Sequence, residues 1–172
     1  KQVGSNRPLL FTKRNDKNPN WQDIWRLCIS SKRISQNLKR LGCPQAKSFI
    51  IEFPTEEQVP DHLIKHFVRG YFEGDGSFTI YHHKRNGYKD YNLSIISTEN
   101  FCKKLAEYMK QTFQITSSIN IRDKRKINST RDWRISGGKQ IFKFLDWIYT
   151  DANIVLKRKH DKYMAEKSIR AR

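Results

Sequence analysis

Two acids and three glycines crowd into residues 68–76, which read Val-Arg-Gly-Tyr-Phe-Glu-Gly-Asp-Gly. This run closes an apolar-periodic stretch that opens with Asp61 and passes directly into the strand-like Ser77-Phe78-Thr79-Ile80-Tyr81. On a helix, Gly70 and Gly74 lie four residues apart on one face, which lets a second helix approach almost to backbone contact. A glycine costs a helix about 1 kcal/mol relative to alanine, so a pair of them needs a packing or functional reason. Asp75 is carried to the bottom of that seam. Two acids brought together by two such helices could hold Mg²⁺, and charge neutralisation at the attacking and leaving oxygens is what phosphodiester hydrolysis requires. Asp75 is therefore the first choice of metal ligand and catalytic residue, with Glu73 second. A capping aspartate ahead of Gly76, and a structural glutamate at a helix end, are the competing readings.

The elements that must position these residues form a repeating order. A helix over 61–74 is followed by strands near 76–83 and 89–97, joined by a turn at Lys84 to Gly87. Thr98 can cap a helix over 99–113 whose apolar face carries Phe101, Leu105, Tyr108 and Met109. Strands near 117–123 and 131–136 come next, around the polar connection Lys124 to Thr130. A helix after Gly137-Gly138 carries Ile141, Phe144, Leu145 and Ile148, and a basic helix over about 152–168 ends the chain.

The first 53 residues repeat only the end of that order, as strand, strand and helix. Trp25-Arg26-Leu27 and the following Ser30 to Ile34 parallel Trp133-Arg134-Ile135 and Gly137 to Ile141. Ile34, Leu38 and Leu41 then map onto Ile141, Leu145 and Ile148, each 107 positions on. An internal duplication explains this pattern; coincidence between two amphipathic units is the alternative. Under duplication the counterpart of Asp75 would precede residue 1, so the chain reads as the remainder of a longer polypeptide. The expected division is a partial first half over 1–53, a Pro- and Glu-bearing linker over 54–60, and a complete second half over 61–172.

Charge narrows the partners. The 172 residues carry 34 Lys and Arg against 17 Asp and Glu, a net +17, so a polyanion is the natural partner. A basic structural or ribosomal-type protein is the rival on composition alone. Aromatics at 12% argue for a packed domain over a basic tail. Cys28, Cys43 and Cys102 are odd in number and widely spaced, as expected of reduced thiols in an intracellular setting, whether a bacterial or phage cytoplasm or an organelle. Neither they nor the five histidines fall into zinc-ligand spacings. No apolar run approaches the length that spans a bilayer.

The nine-residue run resembles the defining motif of the LAGLIDADG homing endonucleases, with Gly70, Glu73, Asp75 and Gly76 at its fixed positions. Leu41-Gly42-Cys43-Pro44-Gln45-Ala46-Lys47-Ser48 is similar to the segment that closes the first half of two-motif members, and Asp151 to Lys159 to the terminal helix of the second. The resemblance implies an α+β fold: αββαββα halves whose antiparallel sheets form a saddle over the DNA major groove, with motif helices packed at the centre. It implies site-specific, Mg²⁺-dependent cleavage of double-stranded DNA, with Asp75 and the Gly74 carbonyl beside the metal. The helix seam at Gly70 and Gly74 would be shared with an upstream half or a second copy of the chain. A basic residue near the scissile phosphate is also implied. Lys47 fits that place in the first copy, whereas the matching position in the second is Thr150. That departure keeps open a non-cleaving DNA binder or an RNA-splicing maturase on the same scaffold. Whether an intron, an intein or a free gene encodes the chain stays open too.

Strand alternation nominates the DNA contacts. Phe78 and Ile80 face inward, leaving Ser77, Thr79, Tyr81 and His83 outward. By the same count Asn92 and Ser94 oppose Leu93 and Ile95, and Asn120 and Arg122 oppose Ile119 and Ile121. Arg131 and Arg134 are further candidates. Such side chains suit base edges and phosphates; a merely solvated sheet face is the plainer reading. Trp21, Trp25, Trp133 and Trp147 are expected in the core.

Overall fold

The computed structural model describes residues 8–14, 19–123, 125 and 129–170, so most of the Lys124–Thr130 connection and the first seven residues lie outside the described residues. The chain divides into two compact units, Lys1–Leu38 and Lys39–Arg172.

In the first unit, β1 (Leu10–Thr12) pairs antiparallel with β2 (Ile24–Arg26), setting Phe11 opposite Trp25 with ring centroids 4.8 Å apart. The helix α1 (Lys32–Arg40) starts where Ser31 Oγ accepts from the Ile34 amide, and it buries no side chain. Trp21 and Trp25 were expected in the core but are exposed, at 46% and 65%. A two-stranded ribbon offers too little neighbouring surface to cover an indole.

The second unit runs α2 (Ile64–Asp75), β3 (Gly76–His82), β4 (Lys89–Ser97), α3 (Glu99–Phe113), β5 (Ser118–Ile121), β6 (Arg131–Ser136), α4 (Gly138–Tyr149) and α5 (Lys157–Arg170). Its four strands form one antiparallel sheet in the order β3-β4-β6-β5. This is the expected mixed α+β module. Alternation drives its assembly: Phe78, Leu93, Ile95, Trp133 and Ile135 are buried on one face. Against them pack Val68 and Phe72 of α2, Phe101, Leu105 and Met109 of α3, and Ile141, Phe144 and Leu145 of α4. The buried Trp133 indole is satisfied by Ser117 Oγ at 2.8 Å. Thr98 caps α3 as its position suggests, accepting from the Phe101 amide at 3.2 Å.

One local outcome differs from the sequence reading. The last helix begins at Lys157 instead of near 152, because Asp151 adopts φ 59° and the Ala152 amide donates to Tyr149 O, closing a turn after α4. The segment before α2 is docked against the module. Ile51 and Phe53 are buried, Thr98 Oγ1 donates to Ile51 O at 2.6 Å, and Phe53 packs edge-on to Phe101.

Candidate functional site

The acidic motif is split between the end of α2 and the first residue of β3. Gly76 makes that junction possible. A Cβ there would meet the Phe72 ring at 2.3 Å and the Phe72 carbonyl oxygen at 2.5 Å, so only glycine lets the strand leave so close to the last helical turn. Gly70 and Gly74 behave differently. A Cβ on either would meet nothing within 4 Å. Both lie exposed on one stripe of α2, and Asp75, at the helix's last turn, is exposed as well.

An acid at a helix C-terminus sits where the backbone already carries partial negative charge, which favours a cation. The protein supplies one. Lys159 of α5 is 6% exposed, and its Nζ donates to the carbonyls of Phe72, Glu73 and Gly76 at 2.7, 2.9 and 2.5 Å. Burial holds its ammonium below the ordinary lysine value, Arg158 adds to the effect, and Glu73 and Asp75 oppose it. The amine thus gathers three carbonyls at the helix-to-strand junction, one of which, that of Phe72, also accepts the Gly76 amide that closes α2. Sequence reasoning missed Lys159: it weighed Thr150, whose hydroxyl merely donates back to Asp146 O at 2.6 Å. A lysine does reach the motif, but from the next helix.

Glu73 turns away from the open face. Its Oε1 accepts from the Leu156 amide at 2.7 Å, one residue before α5 begins, where a carboxylate acts as a helix cap. Burial and then the nearby Glu73 charge push the Tyr149 hydroxyl upward. The Asp75 carboxylate has no such contact with α5, and the Gly74 carbonyl is not among the three that Lys159 takes. Oxygen donors of this hard type fit Mg²⁺. Among the described residues, no group of three or more His, Cys, Asp or Glu side chains gathers in a way that could hold a metal ion. Lys47 opens a short 3₁₀ turn and lines a cleft with Gly42, Pro54, Phe67 and Tyr71. Tyr71 precedes Asp75 by one turn on α2, and its hydroxyl is raised by burial and, further down, by the Asp75 charge.

The sheet face opposite the core gathers most of the nominated side chains. Register aligns Ser77, Ser94, Arg134 and Ser118 in one row across all four strands, and Thr79, Asn92 and Ser136 in the next. Beyond them Tyr81 lies opposite Asp90, and Asn120 opposite Asp132. Tyr81 is 62% exposed. His83, just past β3, bonds Asp90 through Nε2 at 2.7 Å, and Arg122, just past β5, is exposed while its amide donates to Thr130 O. Arg131 is not brought into this set. It shares strand parity with Trp133 and Ile135 and pairs with Glu99 at the start of α3, at 2.5 Å. The signal was present in the sequence: residues 131 and 134 are an odd number apart and point to opposite faces.

Among the described residues, no helix is long and apolar enough to cross a membrane. Comparison with known proteins places the chain. No curated protein matches it. Solved structures that it resembles include meganuclease I-SmaMI bound to uncleaveable DNA, at 20% identity and TM-score 0.45, over 62% of this chain and 36% of that one. Homing endonuclease I-GzeII in complex with its DNA target shares 16% identity at TM-score 0.46, over 81% of this chain and 46% of that one. The group I intron-encoded homing endonuclease I-CeuI, complexed with DNA, shares 20% identity at TM-score 0.43, over 60% and 52%. The chain spans about a third to a half of the length of these structures. The model of the LAGLIDADG-like domain matches residues 63–149, just over half of the 172 and the span from α2 to α4. With Gly70, Glu73, Asp75 and Gly76 at the junction of that helix and sheet, the chain belongs to the LAGLIDADG family.

Proposed function

We propose that this chain is part of a site-specific endonuclease that hydrolyses double-stranded DNA with Mg²⁺. The observation that carries the reading is Asp75, exposed at the end of a helix whose two glycines leave an open face. A like helix from an upstream half, or from a second copy, would lay a second acid beside it. The carboxylate of Asp75 and the Gly74 carbonyl would hold the ion, which when bound neutralises charge on the phosphate. Lys159 fixes the helix end and thereby the direction of Asp75. Lys47, on the Tyr71 side of α2, is the basic residue available near the phosphate from the first half. The outward sheet face with Ser77, Thr79, Tyr81, Asn92, Ser94, Asn120 and Arg134 gives the duplex a polar bed, and the net +17 draws it there. The expected division into a partial half over 1–53, a connecting stretch over 54–60 and a complete half over 61–172 belongs to this reading.

A non-cleaving DNA binder or an RNA-splicing maturase is the second reading. It is favoured by the engagement of Glu73 with α5, which leaves one side-chain acid of the motif for a metal. Cleavage of a randomised duplex library by the purified chain, with Mg²⁺ and with a chelator, separates the two. Asp75→Asn should abolish metal-dependent cleavage and leave duplex binding within about two-fold, since a neutral isostere removes a ligand and little basic surface. Undiminished cleavage by the variant would overturn the assignment. Binding without cleavage by the parent, at concentrations where it self-associates and so brings a second Asp75 to the site, would support the second reading.

A further inference from the structure

The sheet face carries an acid that a DNA-binding surface has no evident use for. Asp132 lies on β6, flanked by β4 and β5, two residues from Arg134 and with the same parity. Arg134 Nη2 donates to Asp132 Oδ2 at 2.5 Å, with the arginine side chain 42% exposed and the aspartate 16%. The register explains why this arginine stands alone: its row across the sheet is Ser77, Ser94, Arg134, Ser118. Nothing tall flanks it. Asp132 in turn sits between Ile96 and Asn120.

The pair is costly. Among the described residues, Asp132 Oδ1 and Arg134 Nε are both covered and find no hydrogen-bond partner. An ion pair kept for stability alone would satisfy these atoms, and leaving two buried polar atoms unpaired asks for another reason. A phosphate anchor is a poor one, because the aspartate cancels much of the charge that would attract a phosphate and repels the phosphate itself. Base recognition fits better. A guanidinium held in one orientation in the middle of a sheet loses little freedom on meeting a base edge, and its fork matches the O6 and N7 acceptors of guanine.

We infer that Asp132 is a positioning residue that sets Arg134 to read a guanine in the major groove and keeps it off the phosphates. The inference rests on the DNA-binding reading above. Arg134 is then a base reader, and Asp132 a specificity determinant that acts through it without touching the duplex.

The test profiles binding of the full chain over a randomised duplex library at two salt concentrations, with thermal unfolding of each variant as a check on folding. The parent should prefer guanine at one position. Asp132→Ala should lower that preference about ten-fold while tightening binding to unrelated duplexes and steepening the salt dependence by about one phosphate contact, as the freed arginine turns to the backbone. Arg134→Lys should lose the guanine preference while keeping most of the general affinity. If Asp132→Ala unfolds, Asp132→Asn is scored instead, with the same directions and smaller effects. An unchanged preference profile, or an equal loss of affinity for every sequence, would overturn the inference and leave DNA binding standing. No duplex binding by the parent would remove the DNA reading itself, and this inference with it.

Discussion

Two stretches of this chain carry the same apolar pattern and meet opposite fates. Ile141, Leu145, Ile148 and Trp133 are all fully buried, whereas the first unit's Ile34, Leu38 and Trp25, which parallel Ile141, Leu145 and Trp133, are 45%, 46% and 65% exposed. Periodicity is shared; neighbours are not. The helix α4 lies on β4 and β6 and against α2, while the first unit offers one short ribbon of three-residue strands. An amphipathic pattern states which face wants cover, and only the surrounding elements supply it.

The contrast is easiest to break at its aromatic pair. Trp133→Ala should cost about 3–5 kcal/mol of unfolding free energy, whereas Trp25→Ala should stay within about 0.5 kcal/mol; denaturant unfolding monitored by circular dichroism reads both. Equal costs would mean that the first unit is packed as tightly as the second. The glycines sharpen the same point on one helix. Gly76→Ala drives a methyl into Phe72 and should cost roughly 1–3 kcal/mol. Gly70→Ala meets open space and should stabilise the isolated chain by about 0.5–1 kcal/mol through helix propensity. Loss of stability in Gly70→Ala at concentrations where the chain associates, but not on dilution, would show that a partner occupies the face. The smallest effect is chemical. Cys102 is buried and its thiol is pushed up to about 11, chiefly by burial, so iodoacetamide at pH 8 should label the exposed Cys28 and spare Cys102 until the protein unfolds. Equal labelling of both in the native protein would count against the buried placement of Cys102.

Much of the second unit was legible because its elements announce themselves locally. Thr98 before an apolar-periodic run, the Gly137-Gly138 break and the alternation through Ser77 to Tyr81 each place an element boundary to within a residue or two. The candidate site was legible only in part. Asp75, Gly70 and Gly74 form a contiguous motif, but the partners of its helix end, Lys159 and Leu156, lie more than 80 residues on, and no local pattern joins them. The Glu73 contact was hidden for the same reason: its acid is equally suited to a metal and to the start of a helix, and no local pattern brings the Leu156 amide to it. Arg131 was misgrouped with Arg134 although strand parity separates them. Residue type alone nominates Trp21 and Trp25 for a core, and it says nothing of what surrounds them.

The amine of Lys159 has a consequence for anyone who would cut this module free. The family match stops at residue 149, and a chimera grafted at that boundary would keep every residue of the motif. It would also discard α5, and with it the ammonium on the Phe72, Glu73 and Gly76 carbonyls and the amide that holds Glu73. The helix end that aims Asp75 would fray in such a graft, its carboxylate keeping its place in the alignment while losing its bearing. The smallest transplantable unit therefore extends through α5, a boundary drawn by one side chain and invisible to the motif.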